Sequence, residues 1–172
     1  MRIIKRKTIA DPDAKVPLIA LAIGSFFFTG FFPVASGTVG SLAALLIIFI
    51  KPAMHPTILL LIIAIAFIAG TVTAKPIMKR YGDDPSVIVI DEAVGMWITL
   101  LIFILFGRTE LSLFNALVCF VAFRFFDVFK MQPSKYFDEL KSAFGVMADD
   151  VVAGIYAGVV SALFSISEIN LF

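Results

Sequence analysis

The sequence is poor in the residues on which much hydrolytic chemistry rests. Its 172 residues include one cysteine, Cys119, and one histidine, His55. A lone cysteine excludes an internal disulfide and says nothing firm about redox compartment. A lone histidine in a proline-flanked turn excludes histidine-based phosphatase chemistry and argues against a zinc site. Charge is sparse as well: charged residues make up 16% of the chain, Lys+Arg number 14 against Asp+Glu 13, and the net charge is +1. Nothing points to nucleic acid. The basic run Arg2, Lys5, Arg6, Lys7 and Lys15 is short, and a polybasic stretch ahead of an apolar one faces anionic lipid. There is no internal repeat and no low-complexity segment.

Apolar side chains, by contrast, are abundant. Hydrophobic residues form 60% of the chain and the mean hydropathy is +1.03, against about 45–50% apolar in soluble domains. The length allows one domain, residues 1–172, which cannot bury that much apolar surface alone, so lipid covers part of it. Uncharged stretches run over residues 16–50, 52–74, 93–107, 111–123 and 151–167. A spanning helix needs roughly 20 largely apolar residues. Residues 52–74 meet that outright, and the others do so by including charged residues at one end.

Pro33, Gly37 and Gly40 break the first stretch, and Thr38 or Ser41 can cap the helix that follows. The piece from Val16 to Thr29 is short for a span and reads as an interfacial or re-entrant helix. From Val39 the chain crosses outward, turns between Lys51 and Pro56, and returns to Lys75–Arg80. A polar loop with Asp83 and Asp84 follows. Val87 to Phe106 crosses outward, Gly107 to Glu110 turns, and Leu111 to Lys130 returns. A polar segment from Met131 to Gly145 precedes a last outward span from Val146 to about Ile166.

With residues 1–15 as a retained, basic cytosolic tail, twelve of the fourteen Lys and Arg fall on the cytosolic side. Only Lys51 and Arg108 fall outside, in agreement with the positive-inside rule. The fold class is therefore all-α: a compact integral membrane helical bundle with about four spanning helices plus a short N-terminal interfacial or re-entrant helix.

This layout gathers the polar residues at one end: Ser36 to Ser41, Asp83, Asp84, Asp91, Glu92, Arg124 to Lys130, Asp138, Asp149 and Asp150. A carboxylate near lipid costs at least a few kcal/mol. Two adjacent pairs, Asp91-Glu92 and Asp149-Asp150, therefore call for positive charge between them. An oxygen-liganded divalent cation supplies it, Mg²⁺ first where phosphate is also bound. The other reading of Asp149 and Asp150 is capping, as residues that open a helix and favour its dipole.

Arg124, Asp127 and Lys130 are spaced by three and share one helix face. They read either as an ion-pair ladder with snorkelling ends or as part of a phosphate site. In the second reading Arg124 is a fork for phosphate oxygens and Lys130 a point charge, while Asp127 orients either or ligates metal. The run Ser36-Gly37-Thr38-Val39-Gly40-Ser41 puts glycines and hydroxyls at a helix start, where backbone amides suit a phosphate. It lacks the lysine of a P-loop, so nucleotide binding by that motif is not supported. Two other patterns are coincidences. Cys119 and Arg124 lie one residue short of a cysteine-phosphatase spacing, and Asp11-Pro12-Asp13 precedes no strand.

Four blocks carry a resemblance. They are Ser36 to Ser41, Asp91-Glu92-Ala93-Val94-Gly95-Met96-Trp97, Phe123 to Lys130, and Gly145 to Gly154 with Asp149-Asp150 inside it. In that order, between about Val16 and about Ser161, they resemble the phosphatidylglycerophosphatase A family. The resemblance implies a Mg²⁺-dependent phosphatase of the bacterial inner membrane, multi-pass and with its active site facing the cytosol. Its reaction would convert phosphatidylglycerol phosphate to phosphatidylglycerol and inorganic phosphate.

On that reading Asp91, Glu92, Asp149 and Asp150 supply metal ligands. Ser36, Gly37, Thr38, Arg124 and Lys130 hold phosphate, and Asp83 and Asp138 are secondary groups. Asp127, Asp91, Arg124 and Lys130 are the catalytic set. Water or Asp127 itself is the nucleophile. One departure stands out: the family pattern has proline directly after the lysine, where this chain has Met131, while Pro133 is kept. Without that proline the helix is expected to run one residue further. The competing class is an ion-coupled transporter, because intramembrane acids also mark ion pathways. A transporter, however, places polar groups near the bilayer midplane and usually shows repeats.

Overall fold

The computed structural model describes residues 10–83, 85–107 and 109–169. Asp84, Arg108 and the basic residues before position 10 lie outside the described residues. Among the described residues seven α-helices form, in order: α1 Leu18–Gly24, α2 Ser36–Leu45, α3 Pro56–Tyr81, α4 Ile90–Phe106, α5 Leu113–Val128, α6 Ser134–Asp138 and α7 Ala143–Ile169. Short 3₁₀ turns lie at Thr29–Phe31, Leu46–Phe49 and Lys51–Met54, and no strand occurs among the described residues.

Local chemistry explains the boundaries. Pro56 opens α3 at a position where its fixed φ fits and its missing N–H is not needed. Gly82 closes α3 at φ 96, a conformation open to glycine. Ser112 caps α5, its hydroxyl accepting from the Asn115 N–H at 3.2 Å.

Pro56–Tyr81 and Ala143–Ile166 are long and apolar enough to cross a membrane. Helices α4 and α5, with 17 and 16 residues, are each about 25 Å long at 1.5 Å per residue, a little under a hydrocarbon core of about 30 Å. The crossing expected from Val39 is not a single helix. Helix α2 stops after 10 residues at Leu45, and the chain goes on as 3₁₀ turns to Met54. Pro52 has no N–H to donate to a helix extended from α2. The expected N-terminal helix is present as α1, only seven residues long. Phe26, Phe27 and Phe28, all at positive φ, then reverse the chain.

Two further boundaries differ from expectation. Helix α5 ends at Val128, where Phe129 leaves helical geometry, so the helix stops short of Lys130 rather than running beyond it. Helix α7 starts at Ala143 with no acid in its first turn. Asp149 and Asp150 therefore sit inside the helix, and the capping reading of that pair falls.

Helix α4 is the centre of the bundle. It packs most extensively on α7, then on α3, α2 and α5, and Val94, Met96 and Leu100 are fully buried in it. Outward rows such as Leu60, Leu61, Ile65, Ile68 and Val72 of α3 are exposed. The Trp97 indole N–H donates to the Ala44 carbonyl at 2.9 Å, tying α4 to α2. Trp97→Phe is expected to lower stability by about 1 kcal/mol through loss of that bond, read as a lower thermal midpoint in detergent.

Candidate active site

The C-terminal ends of α3 and α5, the N-terminal ends of α2 and α4, and the second turn of α7 meet at one end of the bundle. The α4–α7 crossing sets the geometry there. Gly95 and Gly154 lie face to face: a Cβ on Gly154 would run into the Gly95 carbonyl, and one on Gly95 would meet the Asp150 carbonyl oxygen at 2.7 Å. The Thr99 hydroxyl bridges the two helices, donating toward the Gly95 carbonyl at 3.0 Å and the Gly154 carbonyl at 3.2 Å. Asp91 stands one helical turn before Gly95, and Asp150 one turn before Gly154. The close crossing therefore carries the two carboxylates together.

Carboxylate oxygens of Asp91, Glu92 and Asp150 all lie within 4.8 Å of one another. Asp91 is 7% exposed and Asp150 3%. The Glu92 Oε2 is buried with no hydrogen-bond partner. Three crowded carboxylates repel in a medium of low polarity, and an acceptor buried without a donor is costly. A divalent cation answers both, and an all-oxygen donor set suits Mg²⁺. The residues present fit such an ion.

Asp149 is placed differently from the other three acids. Its Oδ2 accepts from the Lys130 ammonium at 2.5 Å, and its Oδ1 accepts from the Asp150 N–H at 3.0 Å. Lys130 also donates to Asp138 at 2.8 Å. Because α5 has already ended, Lys130 can reach α6 and α7 instead of completing a ladder along its own helix. Burial alone would lower its pKa. The bonds to Asp138 and Asp149, with the charges of Asp149 and Asp150, turn the shift upward and keep the ammonium charged.

Arg124 pairs with Asp127 along α5, Nη1 to Oδ2 at 2.5 Å. The same nitrogen donates to the Ser41 hydroxyl at 3.5 Å, and Asp127 lines the same cavity as Asp150. Helix α2 closes the site from the other side. A Cβ at Gly37 would collide with the Glu92 carboxylate and sit 3.3 Å from the Arg124 Nη1, so a side chain there would have to displace Glu92 within the site. The Ser36 hydroxyl donates to the Ser86 carbonyl at 2.8 Å, pinning α2 to the loop before α4.

These side chains enclose a cavity of about 510 Å³, lined among others by Ser36, Gly37, Asp91, Glu92, Arg124, Asp127, Lys130, Asp149 and Asp150. Thr38 and Asp83 do not line it, and Asp138 touches it through Lys130. His55 caps the far end of α3, and Cys119 is buried within α5. The role of Ser41 was not evident in the sequence, where it read only as a helix cap. It is fully buried, donates to the Gly37 carbonyl at 2.7 Å and holds Arg124. Its signal is a hydroxyl one turn beyond a glycine on the same face.

Arg124→Lys keeps the charge and loses the planar fork. Phosphate release is expected to fall roughly 10- to 100-fold, which is about 1.4–2.7 kcal/mol of barrier, as read from kcat/KM of the folded variant.

An apolar helical bundle holding carboxylates, a guanidinium and an ammonium around one end cavity has the build of a phosphoric monoester hydrolase for lipids. The chain belongs to the phosphatidylglycerophosphatase A family, whose model matches residues 22–165.

Among its relatives is a putative phosphatidylinositol-3-phosphatase of Bacteroides thetaiotaomicron, 34% identical over 151 residues, covering 84% of this chain and 92% of the relative. The phosphatidylglycerophosphatase A of Haemophilus influenzae is 37% identical over 147 residues, covering 84% and 86%. That of Escherichia coli is 32% identical over 155 residues, covering 88% and 86%. No solved structure matches the chain.

Proposed function

We propose that this protein is a Mg²⁺-dependent, multi-pass phosphatase of the bacterial inner membrane that hydrolyses phosphatidylglycerol phosphate to phosphatidylglycerol and inorganic phosphate. The observation that carries the reading is the carboxylate triad of buried Asp91 and Asp150 with half-buried Glu92, whose Oε2 is buried without a hydrogen-bond partner, on the wall of a cavity that also holds Arg124 and Lys130. Two helices long and apolar enough to span, and the gathering of basic residues at the site's end, support a cytosolic orientation.

A divalent ion held by Asp91, Glu92 and Asp150 would supply Lewis-acid neutralisation of phosphate charge. The Arg124 fork takes two equatorial phosphate oxygens, and its bonds to Asp127 and Ser41 preset its direction. Lys130 adds fixed positive charge while aligning Asp149. Electrostatic positioning of this kind carries most of phosphoryl-transfer catalysis. Asp127, on the cavity wall beside Arg124, is the group placed to receive a proton from attacking water or to attack phosphorus itself. Ser36 and Gly37, which line the same cavity, open α2, where a helix N-terminus favours an anion.

The transporter reading is weaker, because the acids gather at one end of the helices rather than midway along them. The test is phosphate release in detergent with Mg²⁺ from phosphatidylglycerol phosphate, phosphatidic acid and phosphatidylinositol 3-phosphate in parallel. Preference for the glycerophosphate headgroup is expected. A preference for the inositol lipid would reassign the substrate, and no release from any of the three by folded protein would sink the reading.

A further inference from the structure

A second hollow, of about 610 Å³ and entirely apolar in its lining side chains, lies between α5 and α7. Leu117, Val118, Val121 and Ala122 contribute from α5, and Val160 and Phe164 from α7. Its two walls lead toward the catalytic cavity. At about 100° per residue, Val121, Phe125 and Val128 share one face of α5, and Val128 lines the catalytic cavity. On α7, Asp149, Tyr156 and Val160 likewise share a face, Asp149 being on the cavity wall. Phe126, which lines the hollow, packs its ring 5.6 Å from that of Tyr156, and the Tyr156 hydroxyl donates to the Gln132 carbonyl at 2.7 Å.

We propose that this groove seats one acyl chain of the phospholipid substrate, an assignment that rests on the lipid-phosphatase reading above. A phosphomonoester held by Arg124 has its acyl chains covalently tied to it, so they must leave the cavity along a neighbouring apolar path. The α5 face passing through Val128 is such a path. From Phe114 to Phe125 the groove follows about 17 Å of helix, close to the depth of one leaflet in a hydrocarbon core of about 30 Å. It thus extends as far as a membrane-length chain does and holds no polar side chain that would reject one. The seat would make long-chain substrate bind better than the same headgroup without chains, through close packing of the chain against the groove walls.

The experiment fills the groove and measures chain dependence. Ala122→Phe puts a ring on a residue that lines the groove, and an unchanged thermal midpoint in detergent is the condition for reading it. The ratio of kcat/KM for dipalmitoyl over dibutanoyl phosphatidylglycerol phosphate is expected to fall about tenfold, chiefly through KM of the long-chain substrate. Val72→Phe on the exposed face of α3 is the control and should leave the ratio at the wild-type value. In a second arm, an analogue with a diazirine in one acyl chain is photolysed on wild-type protein. Labelling concentrated between Leu117 and Phe126 of α5, and lost in Ala122→Phe, supports the seat even if the preferred headgroup is a different one. An unchanged chain-length ratio, or labelling spread evenly over the lipid-facing helices, overturns it.

Discussion

Asp150→Asn is expected to abolish turnover while leaving the protein folded and, without metal, at least as stable as the wild type. Asp150 is nearly inaccessible and faces Asp91 and Glu92 with carboxylate oxygens inside 4.8 Å. An amide of the same shape removes one of three crowded charges, so the empty site becomes easier to fold around. The catalytic cost runs the other way. Loss of a cation ligand should lower the rate roughly 10³-fold, about 4 kcal/mol of barrier.

Linkage separates this from a merely structural effect. An ion that binds only the folded state stabilises it by about 2.7 kcal/mol at 100 times its Kd. Added Mg²⁺ should therefore raise the thermal midpoint of the wild type and hardly move that of Asp150→Asn. A variant that keeps both its rate and its Mg²⁺-induced stabilisation would remove Asp150 from the site.

Gly154→Val tests how the triad is assembled. The new side chain would press into the Gly95 carbonyl, and two helix backbones cannot yield as a flexible side chain can. Overpacking of this kind costs about 1–3 kcal/mol. The larger effect falls on the site, because Asp91 and Asp150 lie one turn along from the contact. A misplacement of about 1 Å can cost roughly 100-fold in rate. The expected outcome is a folded protein with a lower thermal midpoint, about 100-fold less turnover and a raised Mg²⁺ requirement. Unchanged Mg²⁺ dependence in Gly154→Val would mean that the crossing does not position the carboxylates.

The helical class and the gathering of polar residues at one end were legible in the sequence. Apolar runs and the bias of Lys and Arg are long-range averages, insensitive to single boundaries. Boundaries themselves were not. Nothing in the spacing of Arg124, Asp127 and Lys130 reveals that the helix ends at Val128, yet that end is what frees Lys130 to reach Asp138 and Asp149. The adjacent acids Asp149 and Asp150 look equivalent on paper. They part because neighbours on a helix point about 100° apart, sending Asp150 to the triad and Asp149 to Lys130.

The glycines, however, could have been read more closely. Gly95 follows Asp91 by four residues and Gly154 follows Asp150 by four, which places each glycine under its carboxylate on the same helix face. Paired small residues on two apolar helices mark a close crossing. Gly37, by contrast, becomes interpretable only once Glu92 is seen against it.

The measurement closest to the heart of the proposal is phosphate release from phosphatidylglycerol phosphate by purified protein stripped with EDTA and then titrated with Mg²⁺. Expected is no release in EDTA, saturable recovery as Mg²⁺ is added, and no recovery at any Mg²⁺ concentration in Asp150→Asn. Full release from the stripped wild-type protein would contradict the assignment of Asp91, Glu92 and Asp150 as the ligands of a required ion.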